Sequence, residues 1–339
     1  MTPFDNYMWT GHVLAALRAS LDVHGFVEIL PVILSERYEP GARHSIAVLG
    51  NRAIPEIRVE PGSNGENQRV TVCGTKYFYL PVSHCVEKQL ALEFAKRVYC
   101  MAPCVRLLMP GEDRTGRHLY TFFQVEIEWR TESADEVYNE TESILAYFSQ
   151  ELLRRLATEL ELDEAAIQRI RAFNAVPYER IRFCEARNRV ASVGGAVNPH
   201  AAGDLTHAEE DVLSMAAGAP FWLTDYPEGV RDSLYRRCPN GTFATYDLML
   251  PAGYGELSTG GLRPDSEDDI LRQGRRLGTS AHPYYAEWKS RTNLQTGGLG
   301  IGLERLVRFC AGAPSVLDLR FAHDQGPNAG IERAQAAWT

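Results

Sequence analysis

The clearest pattern of apolar and polar positions lies between residues 120 and 128, which read YTFFQVEIE. The two kinds of residue alternate with a period of two, which is typical of a strand with one buried face. The preceding stretch begins at Cys104 as CVRLL and predicts a second strand that ends near Arg106. Pro110 and Gly116 lie between the two stretches, so the pattern predicts two strands joined by a polar loop.

Other stretches predict helices and further strands. Apolar residues at helical spacing predict a helix over 11–25, which ends at a glycine, and two successive helices between 133 and 173. FVEILPVIL, residues 26–34, predicts a strand, and VPYERIRFCEA, residues 176–186, predicts a strand followed by a turn. The segment 191–203 is rich in glycine, alanine and asparagine and predicts a loop that is either a lid or simply mobile.

A hairpin is predicted in the second half of the chain. YDLMLP and YGELSTGG flank a turn at Ala252 and Gly253, and glycine is a preferred turn residue. PFWLTDYP, which begins at Pro220, predicts the adjacent strand. In GDLTHAEED, the hydroxyl of Thr206 is a candidate cap for the helix that follows.

Composition limits the class of protein. The chain has 339 residues and a formal net charge of −9. A protein whose main task is to coat nucleic acid carries clustered Lys and Arg, so the acidic balance argues against that class. The seven cysteines include no CxxC pair, which favours a reducing compartment over a disulfide scaffold or a cysteine-based zinc site. No apolar run approaches the ~20 residues that span a bilayer, so we expect a soluble, cytoplasmic protein.

Cationic side chains converge on the loop between the first two predicted strands. Arg106 lies near the end of one strand, Arg114, Arg117 and His118 lie in the loop, and Phe122 opens the other strand. Guanidinium groups bind phosphate oxygens in a bidentate manner and a flat ring can stack on a base, so the stretch suits a nucleoside polyphosphate. A surface hairpin with a solvated basic turn explains the same residues equally well.

Alternate glycines mark a further stretch, GGLGIGLERL. Gly298, Gly300 and Gly302 precede Arg305 and an apolar run. Alternate glycines weaken a strand and are tolerated mainly where another group approaches the backbone closely. A strand of this kind, leading into a helix that carries Arg305, predicts the floor of a ligand site with a cation at its edge.

Three more charged residues are candidates for ligand binding. Asp247 and Glu256 flank the predicted hairpin turn, and their carboxylates are hard oxygen ligands that suit Mg²⁺. An acidic pair beside a turn is more often a surface feature. Lys88 lies one turn inside a predicted helix, so its ammonium can point back towards the sheet, although most helical lysines are solvated.

Several ordered motifs resemble one family. GRHLY, YDLMLP, GYGELSTGG, PFWLTDYP and GLGIGLER are similar to motifs of class II aminoacyl-tRNA synthetases of the aspartyl/asparaginyl branch. Within that branch, the chain resembles the archaeal-type asparagine synthetase related to asparaginyl-tRNA synthetase. The resemblance implies an α+β fold, with an antiparallel β-sheet flanked by helices. It also implies a single class II synthetase-like catalytic domain over 1–339, with a helical insertion at about 133–176 and no anticodon-binding domain.

The resemblance also implies roles for individual residues. It implies a homodimer interface around Pro31 and a Mg²⁺ site at Asp247 and Glu256. The implied catalytic residues are Arg106, Glu256 and Arg305. The residues implied to bind ATP are Arg106, His118, Phe122 and Arg305. Those implied to bind an aspartate-like substrate are Ser83, Lys88, Thr259 and Arg263.

Departures from the family pattern leave the substrate and the acceptor open. Cys85 stands where the family has glutamine, and Leu108 and Thr121 stand where it has glutamate. Together with the acidic charge, they favour an AMP-forming ligase that uses ATP and Mg²⁺ and transfers an activated carboxylate of aspartate, or of a close analogue, to ammonia or a small amine. tRNA is then not expected as a partner. Aminoacylation of tRNA and a non-catalytic regulator that binds an amino acid or a nucleotide are the alternatives, and the choice between the α- and side-chain carboxylate stays open.

Overall fold

The computed structural model describes residues 3–35, 46–50, 56–60, 69–73, 76–108, 111–159, 162–193, 203–231, 235–276 and 283–319. Within these residues, the α+β fold is built on one eight-stranded sheet. With strands numbered in chain order, the spatial order is β1 (Val27–Glu28), β6 (Arg97–Val105), β7 (Thr121–Arg130), β14 (Thr296–Gly302), β13 (Gly255–Leu262), β12 (Thr245–Leu250), β9 (Phe221–Thr224) and β8 (Glu179–Arg182). Each edge strand is parallel to its neighbour, and all other pairs are antiparallel.

The remaining described elements are small sheets and helices. The paired strands are β2 (Ala47–Gly50) with β5 (Lys76–Tyr79), β3 (Glu56–Glu60) with β4 (Arg69–Cys73), and β10 (Tyr226–Pro227) with β11 (Thr242–Phe243). The helices are α1 (Pro3–Val23), α2 (Cys85–Ala91), α3 (Ala134–Leu156), α4 (Glu164–Arg171), α5 (Phe183–Ser192), α6 (His207–Ala216), α7 (Glu267–Arg276), α8 (Pro283–Thr292) and α9 (Leu303–Ala311). Among the described residues, no helix is both long and apolar enough to cross a lipid bilayer.

The two faces of the main sheet differ in chemistry because side chains alternate along each strand. Val125 and Ile127 of β7 belong to the main buried cluster on one face, the apolar face. Glu126 and Glu128 of the same strand lie on the opposite, polar face. The alternation that predicts β7 from the sequence therefore also separates the packing side of the sheet from the side that carries chemistry.

Helices α1, α3 and α9 cover the apolar face. They join the sheet in one buried cluster that includes Leu17 of α1, Phe148 of α3 and Val307 of α9. The two helices predicted between 133 and 173 are confirmed, and α3 begins at Ser133, whose side chain accepts a hydrogen bond from the N–H of Glu136. This layer leaves the polar face as the side on which ligands can be held.

Two groups of helices flank the polar face. At one end of the sheet, α5 and α6 pack against Phe221 and Met249. At the other end, α2 contacts β6 and β7 and packs with α7 and α8 around Val86, Ile270 and Tyr285. The polar residues of β7, β13 and β14 lie between these two groups.

A β-bulge in β13 decides which of its side chains reach the polar face. Asp247 of β12 is paired with Thr259, whereas Met249, two residues further on, is paired with Glu256. Glu256 and Thr259 are three residues apart, so β13 contains one extra residue. The bulge keeps Glu256 on the same face as Asp247 and Thr259.

The structure confirms the second predicted hairpin and its surroundings. Its turn contains Ala252 and Gly253, whose φ angles are 58° and 80°. The strand predicted from Pro220 is β9. Thr206 caps α6 and forms a capping box with Glu209.

Three element predictions need correction. The strand predicted over 26–34 is wrong beyond its first residues, because only Val27–Glu28 pairs with the sheet, and the proline that follows lacks an N–H for a ladder. The helix predicted over 11–25 begins earlier, at the start of α1. The turn predicted within 176–186 is wrong, because buried apolar residues at helical spacing make this segment the first turn of α5. Most of the loop predicted over 191–203 lies outside the described residues.

Candidate active site

The β6–β7 hairpin carries the first part of the site. Arg106 follows β6 and Phe122 lies at the start of β7, as predicted, and the guanidinium carbon of Arg106 lies 4.8 Å from the centre of the Phe122 ring. Arg106 also donates a hydrogen bond to the carbonyl of Val82 at 3.2 Å. The side chain is exposed, so its other N–H groups are accessible to a ligand above the polar face.

The first turn of α9 places Arg305 beside the same hairpin. Glu304 accepts hydrogen bonds from the backbone N–H of Phe123 at 3.0 and 3.1 Å, which ties α9 to β7. The side chain of Arg305 folds over Gly302, where a Cβ would press against it. The guanidinium of Arg305 donates to Glu256 Oε1 at 2.7 Å and to the carbonyl of Glu256 at 3.1 Å. An acid of β13 therefore holds this cation at the polar face.

His118 presents a lone pair to Arg305. The hydroxyl of Thr115 donates to the carbonyl of Glu112 at 2.8 Å, so its oxygen accepts a hydrogen bond from Nδ1 of His118 at 2.7 Å. Nε2 of His118 is then unprotonated and accepts from Nη2 of Arg305 at 3.3 Å. Burial and the positive charge of Arg305 lower the pKa of His118 to about 3, so the ring is neutral at physiological pH.

Arg117 fixes the loop against α6 and β13. Its buried guanidinium lies 3.1 Å from Glu210 and 3.7 Å from Asp211, both on α6. It also fills the space that a Cβ on Gly255 would need, and Gly255 has a φ of 74°. Of the predicted loop cations, only Arg114 is exposed, so the solvated basic turn is the wrong interpretation of Arg117 and His118.

Gly298 and Gly300 confirm the predicted close approach at the floor of the site. They are paired with Glu128 and Glu126 of β7, respectively. A Cβ on Gly298 would collide with the carboxylate of Glu128, and one on Gly300 would press against the carboxylate of Glu126. The glycines therefore give both carboxylates room to lie across the sheet.

Gly298→Ala is expected to lower the free energy of unfolding by about 1–3 kcal/mol, because overpacking at this point displaces Glu128 or the backbone of β7. Chemical denaturation measures the effect. Gly11→Ala is the matched control, since a Cβ on Gly11 of α1 meets no atom within 4 Å. The control should gain about 0.5–1 kcal/mol because alanine favours the helix. Equal stability of the two variants would contradict the proposed tight floor.

Lys88 points back towards the sheet, as predicted, and is buried. Its Nζ lies 2.6 Å from Glu126 Oε2 and 3.4 Å from Glu128 Oε2. It also donates to the carbonyls of Ile127 and Leu299, at 3.3 Å each. Lys88 therefore bridges the acids of β7 to the floor strand β14.

Arg263 is bound to the same acids. Its Nε and Nη2 donate to the two oxygens of Glu128 at 2.8 and 2.7 Å. Burial acts to lower the pKa of Lys88, but Glu126 and Glu128 outweigh it and raise that pKa above its usual range. Burial acts to raise the pKa of Glu126, but Lys88 outweighs it and lowers that pKa. Two buried cations and two buried acids thus balance one another, and a substrate would have to share the cations.

Glu126 and Glu128 were not singled out from the sequence, although the alternation of β7 indicates their position. They are two residues apart in a strand whose alternate residues are apolar, so both must lie on one face. What the sequence does not show is that Lys88 and Arg263, from distant segments, reach that face at the same place.

Two further predicted substrate residues lie close by. Thr259 is on the polar face and is paired with Gly300. Ser83 precedes α2, and its hydroxyl accepts a hydrogen bond from the N–H of Cys85 at 3.3 Å. Ser83 and Cys85 thus begin the segment that leads to Lys88.

Asp247 and Glu256 share the polar face but are held by different cations. Asp247 Oδ2 accepts hydrogen bonds from the hydroxyl of Tyr226 at 2.5 Å and from Arg231. Arg231 also lies 3.0 Å from Asp204. Neither Arg231 nor Asp204 was singled out from the sequence, because a loop arginine and an isolated aspartate carry no local pattern.

The pKa values of these two acids shift in opposite directions. Burial raises the pKa of Asp247, Arg231 opposes this, and the nearby Glu256 adds to the rise. Burial also acts to raise the pKa of Glu256, but Arg305 and Arg231 outweigh it, so the pKa is lowered. Asp247 Oδ1 is buried and accepts no hydrogen bond from the described residues. Such an oxygen beside an ionised Glu256 fits a Mg²⁺ ion, although shared binding stays a prediction.

The site therefore has two chemical parts on one face. At the end of the face next to the β6–β7 loop, Arg106 and Arg305 offer cations, Phe122 offers a ring and His118 offers a neutral imidazole, with Glu256 among them. Lys88 and Arg263 form a buried charged region with the acids of β7. This arrangement can hold a polyanion with a stacking base and place a smaller zwitterion beside it.

The sheet is mainly antiparallel, with helices on its apolar face and this set of residues on its polar face. This arrangement defines a class II synthetase fold. A family model described as tRNA synthetases class II (D, K and N) matches residues 5–322. The chain belongs to this family, and its relatives place it in the aspartyl/asparaginyl branch.

The relatives include asparagine–tRNA ligases from bacteria and archaea. That of Streptococcus thermophilus is 26% identical over 271 residues, which cover 75% of this chain and 59% of that ligase. That of Pyrococcus horikoshii is 28% identical over 238 residues, which cover 69% of this chain and 54% of that ligase. The chain thus spans little more than half the length of these relatives.

Solved structures share the fold. The asparaginyl-tRNA synthetase from Pyrococcus horikoshii complexed with asparaginyl-adenylate has a TM-score of 0.74 and 22% identity, and the match covers 94% of this chain and 68% of that chain. The aspartyl-tRNA synthetase from Entamoeba histolytica has a TM-score of 0.67 and 18% identity, with coverage of 93% and 57%. These relatives are named for tRNA ligation, so they do not support the expectations of an asparagine synthetase-like activity and of no tRNA partner.

Proposed function

We propose that this chain activates an amino acid of the aspartate or asparagine type with ATP and forms an acyl-adenylate. The observation that carries the proposal is the set of Arg106, Arg305 and Glu256 on the polar face, beside a stacking ring and a glycine floor. The described distances within this set support it: 2.7 Å from Arg305 to Glu256 and 4.8 Å from Arg106 to the Phe122 ring.

The main barrier to the proposed step is repulsion between two negatively charged reactants, and the cations of the site reduce it. A carboxylate oxygen attacks the α-phosphorus of ATP, the bond to the β-phosphate breaks, and pyrophosphate leaves with the electron pair. Both reactants are anions, so Arg106 would bind them together, and Arg305 with the loop of His118 would hold the pyrophosphate end. Fixed cations of this kind supply most of the catalysis in phosphoryl transfer.

We propose Mg²⁺ as the metal that accompanies ATP. Glu256 and the unpartnered Oδ1 of Asp247 are the oxygen donors that would hold it, and bound Mg²⁺ would neutralise charge on the phosphates. Arg231 already neutralises part of Asp247. The chain itself therefore contributes a permanent cation next to the proposed metal site.

We propose tRNA as the acceptor of the activated carboxylate, because the relatives are named asparagine–tRNA ligases. A hydroxyl of the tRNA would attack the acyl carbon, and AMP would leave. Ammonia or a small amine is the second candidate acceptor. Its support is the acidic balance of −9 and the presence of Leu108 and Thr121 where the family has acids.

We also propose a second copy of the chain as a partner. The segment from Val27, the first residue of β1, to Ile33 exposes apolar side chains: Val27 is 55% exposed, Leu30 is 92% exposed and Ile33 is 57% exposed. A run of exposed apolar residues of this kind is typical of a surface that another protein covers. Sedimentation velocity tests the proposal directly, and a monomer at micromolar concentration would contradict it.

The activation step is tested without any acceptor. ATP–pyrophosphate exchange should depend on Mg²⁺ and on aspartate or asparagine, and no exchange with either amino acid would overturn the proposal. The acceptor is tested next by mass spectrometry, with a tRNA pool in one reaction and ammonium or small amines in another. Aminoacylated tRNA supports the proposed acceptor, whereas a free amide with unmodified tRNA overturns it in favour of the second candidate.

A further inference from the structure

Three side chains with metal-binding atoms meet at the outer edge of the polar face. Glu112 opens a short 3-10 turn (Glu112–Arg114), His118 precedes β7, and His207 is the first residue of α6. One ligand atom from each lies within 4.8 Å of the others. Among the described residues, no other group of three or more His, Cys, Asp or Glu side chains meets this condition.

The two imidazoles are prepared for metal binding. Because Nδ1 of His118 donates to Thr115, Nε2 carries the lone pair, and that atom lies 3.9 Å from Glu112 Oε1. The rings of His118 and His207 are 4.8 Å apart, centre to centre. Nδ1 of His207 is buried and makes no hydrogen bond within the described part of the chain. Glu210 Oε2 lies 3.7 Å from this nitrogen, which is too far for a hydrogen bond, and a bound cation would satisfy the nitrogen.

We propose that Glu112, His118 and His207 form a binding site for a transition-metal ion, with Zn²⁺ as the best fit. Two imidazoles and one carboxylate match the ligands that Zn²⁺ prefers, whereas Mg²⁺ prefers oxygen. Zn–N and Zn–O bonds of about 2.0–2.2 Å require ligand atoms about 3.4 Å apart. The present spacing, which reaches 4.8 Å, must therefore contract by up to about 1.4 Å, and the fourth position would be taken by water.

Positive side chains near the site repel the metal ion, and negative side chains nearby offset most of this repulsion. Arg305 and Arg117 are the facing cations, and Arg305 must give up its 3.3 Å contact with His118. It would keep its 2.7 Å bond to Glu256. The acids offset this repulsion: Glu210 lies 3.7 Å from His207, and Asp211 and Glu256 pair with the two arginines. The acid Glu112 itself supplies the charge that neutralises half of a divalent ion.

The consequence is competition between the metal and the nucleotide, an inference that rests on the proposed function. His118 lies in the part of the site proposed to face the pyrophosphate end of ATP. A metal bound to its Nε2 would draw this ring towards Glu112 and His207 and away from the phosphates. Zn²⁺ would thus inhibit activation while Mg²⁺, with its different ligands, would support it.

Metal binding is tested directly on the whole protein. Equilibrium dialysis with Zn²⁺, and Co²⁺ absorption as a spectroscopic probe, should show a site whose affinity falls at least about tenfold in His207→Gln and in Glu112→Gln. His12→Gln is the matched control, since His12 lies on α1 beside Glu159, and its affinity should equal that of the wild type. The cysteines can also bind Zn²⁺, so the test is the difference in affinity between the variants and the wild type, not Zn²⁺ binding by itself. Equal binding by all variants would overturn the site.

Competition is tested separately by exchange at fixed free Zn²⁺ and excess Mg²⁺. Zn²⁺ should raise the apparent KM for ATP in the wild type, and His207→Gln should keep its basal rate but resist the metal. Binding without inhibition would overturn the competition and leave the metal site standing. If the wild type shows no exchange, the proposed function fails, but the binding experiment still decides the metal site.

Discussion

Arg106→Ala is expected to lower the rate of ATP–pyrophosphate exchange by about 10³-fold or more, as loss of a cation on a transferring phosphoryl group does. Arg106 is exposed, and its described contacts are a ring and one carbonyl. Truncation therefore removes charge without opening the core. The free energy of unfolding should change by no more than about 0.5 kcal/mol, as is usual for a surface substitution.

Two further variants sharpen this measurement. Arg154→Ala removes an exposed arginine that pairs with Glu151 on α3, and it should leave exchange unchanged. Arg106→Lys retains the charge but loses the planar fork, so it should lie between the wild type and the alanine variant. Exchange by Arg106→Ala within about tenfold of the wild-type rate would remove Arg106 from the proposed mechanism.

Glu128→Gln is expected to lower the free energy of unfolding by about 3–5 kcal/mol, the usual effect of removing one partner of a buried ion pair. The side chain of Glu128 is 0% exposed, and it binds Arg263 through both oxygens. Loss of the negative charge of Glu128 would leave Lys88 paired with Glu126, whereas Arg263 would lose the carboxylate that it binds. Urea denaturation measures the change.

A double-mutant cycle separates the ion pair from simple packing. Arg263→Leu should destabilise the protein as well, and the double variant should cost at least about 1 kcal/mol less than the sum of the two single changes. Glu185→Gln is the control for charge alone, since Glu185 and Arg189 form an exposed pair whose loss should cost about 0–1 kcal/mol. Strict additivity in the cycle would rule out direct coupling between Glu128 and Arg263.

Local periodicity accounts for much of what the sequence predicts correctly. The alternation in β7 gives both the strand and its two faces, and the glycines of β14 give a strand with a close neighbour. The turn at Gly253 and the cap at Thr206 are local too, because their hydrogen bonds involve residues a few positions away. Such features can be read from a short stretch of chain.

Contacts between distant segments could not be predicted in the same way. Lys88 reaches Glu126, and Arg231 reaches Asp247, because the sheet brings separate segments together. Periodicity shows which face a residue occupies but not which residue lies opposite. The predicted strand over 26–34 fails for the related reason that apolar residues alone do not supply a pairing partner.

The bulge in β13 ties the chemistry of the site to chain length. Because Glu256 and Thr259 are three residues apart, a regular strand over the same residues would turn Glu256 towards the helices, and its carboxylate would be lost from the side that holds Arg305. A one-residue deletion between 256 and 259 would leave these residues two positions apart, so it should remove the bulge and still keep Glu256 on the polar face. Homologous chains that form a regular strand here, yet keep the glutamate on this face, should therefore be one residue shorter between these two positions.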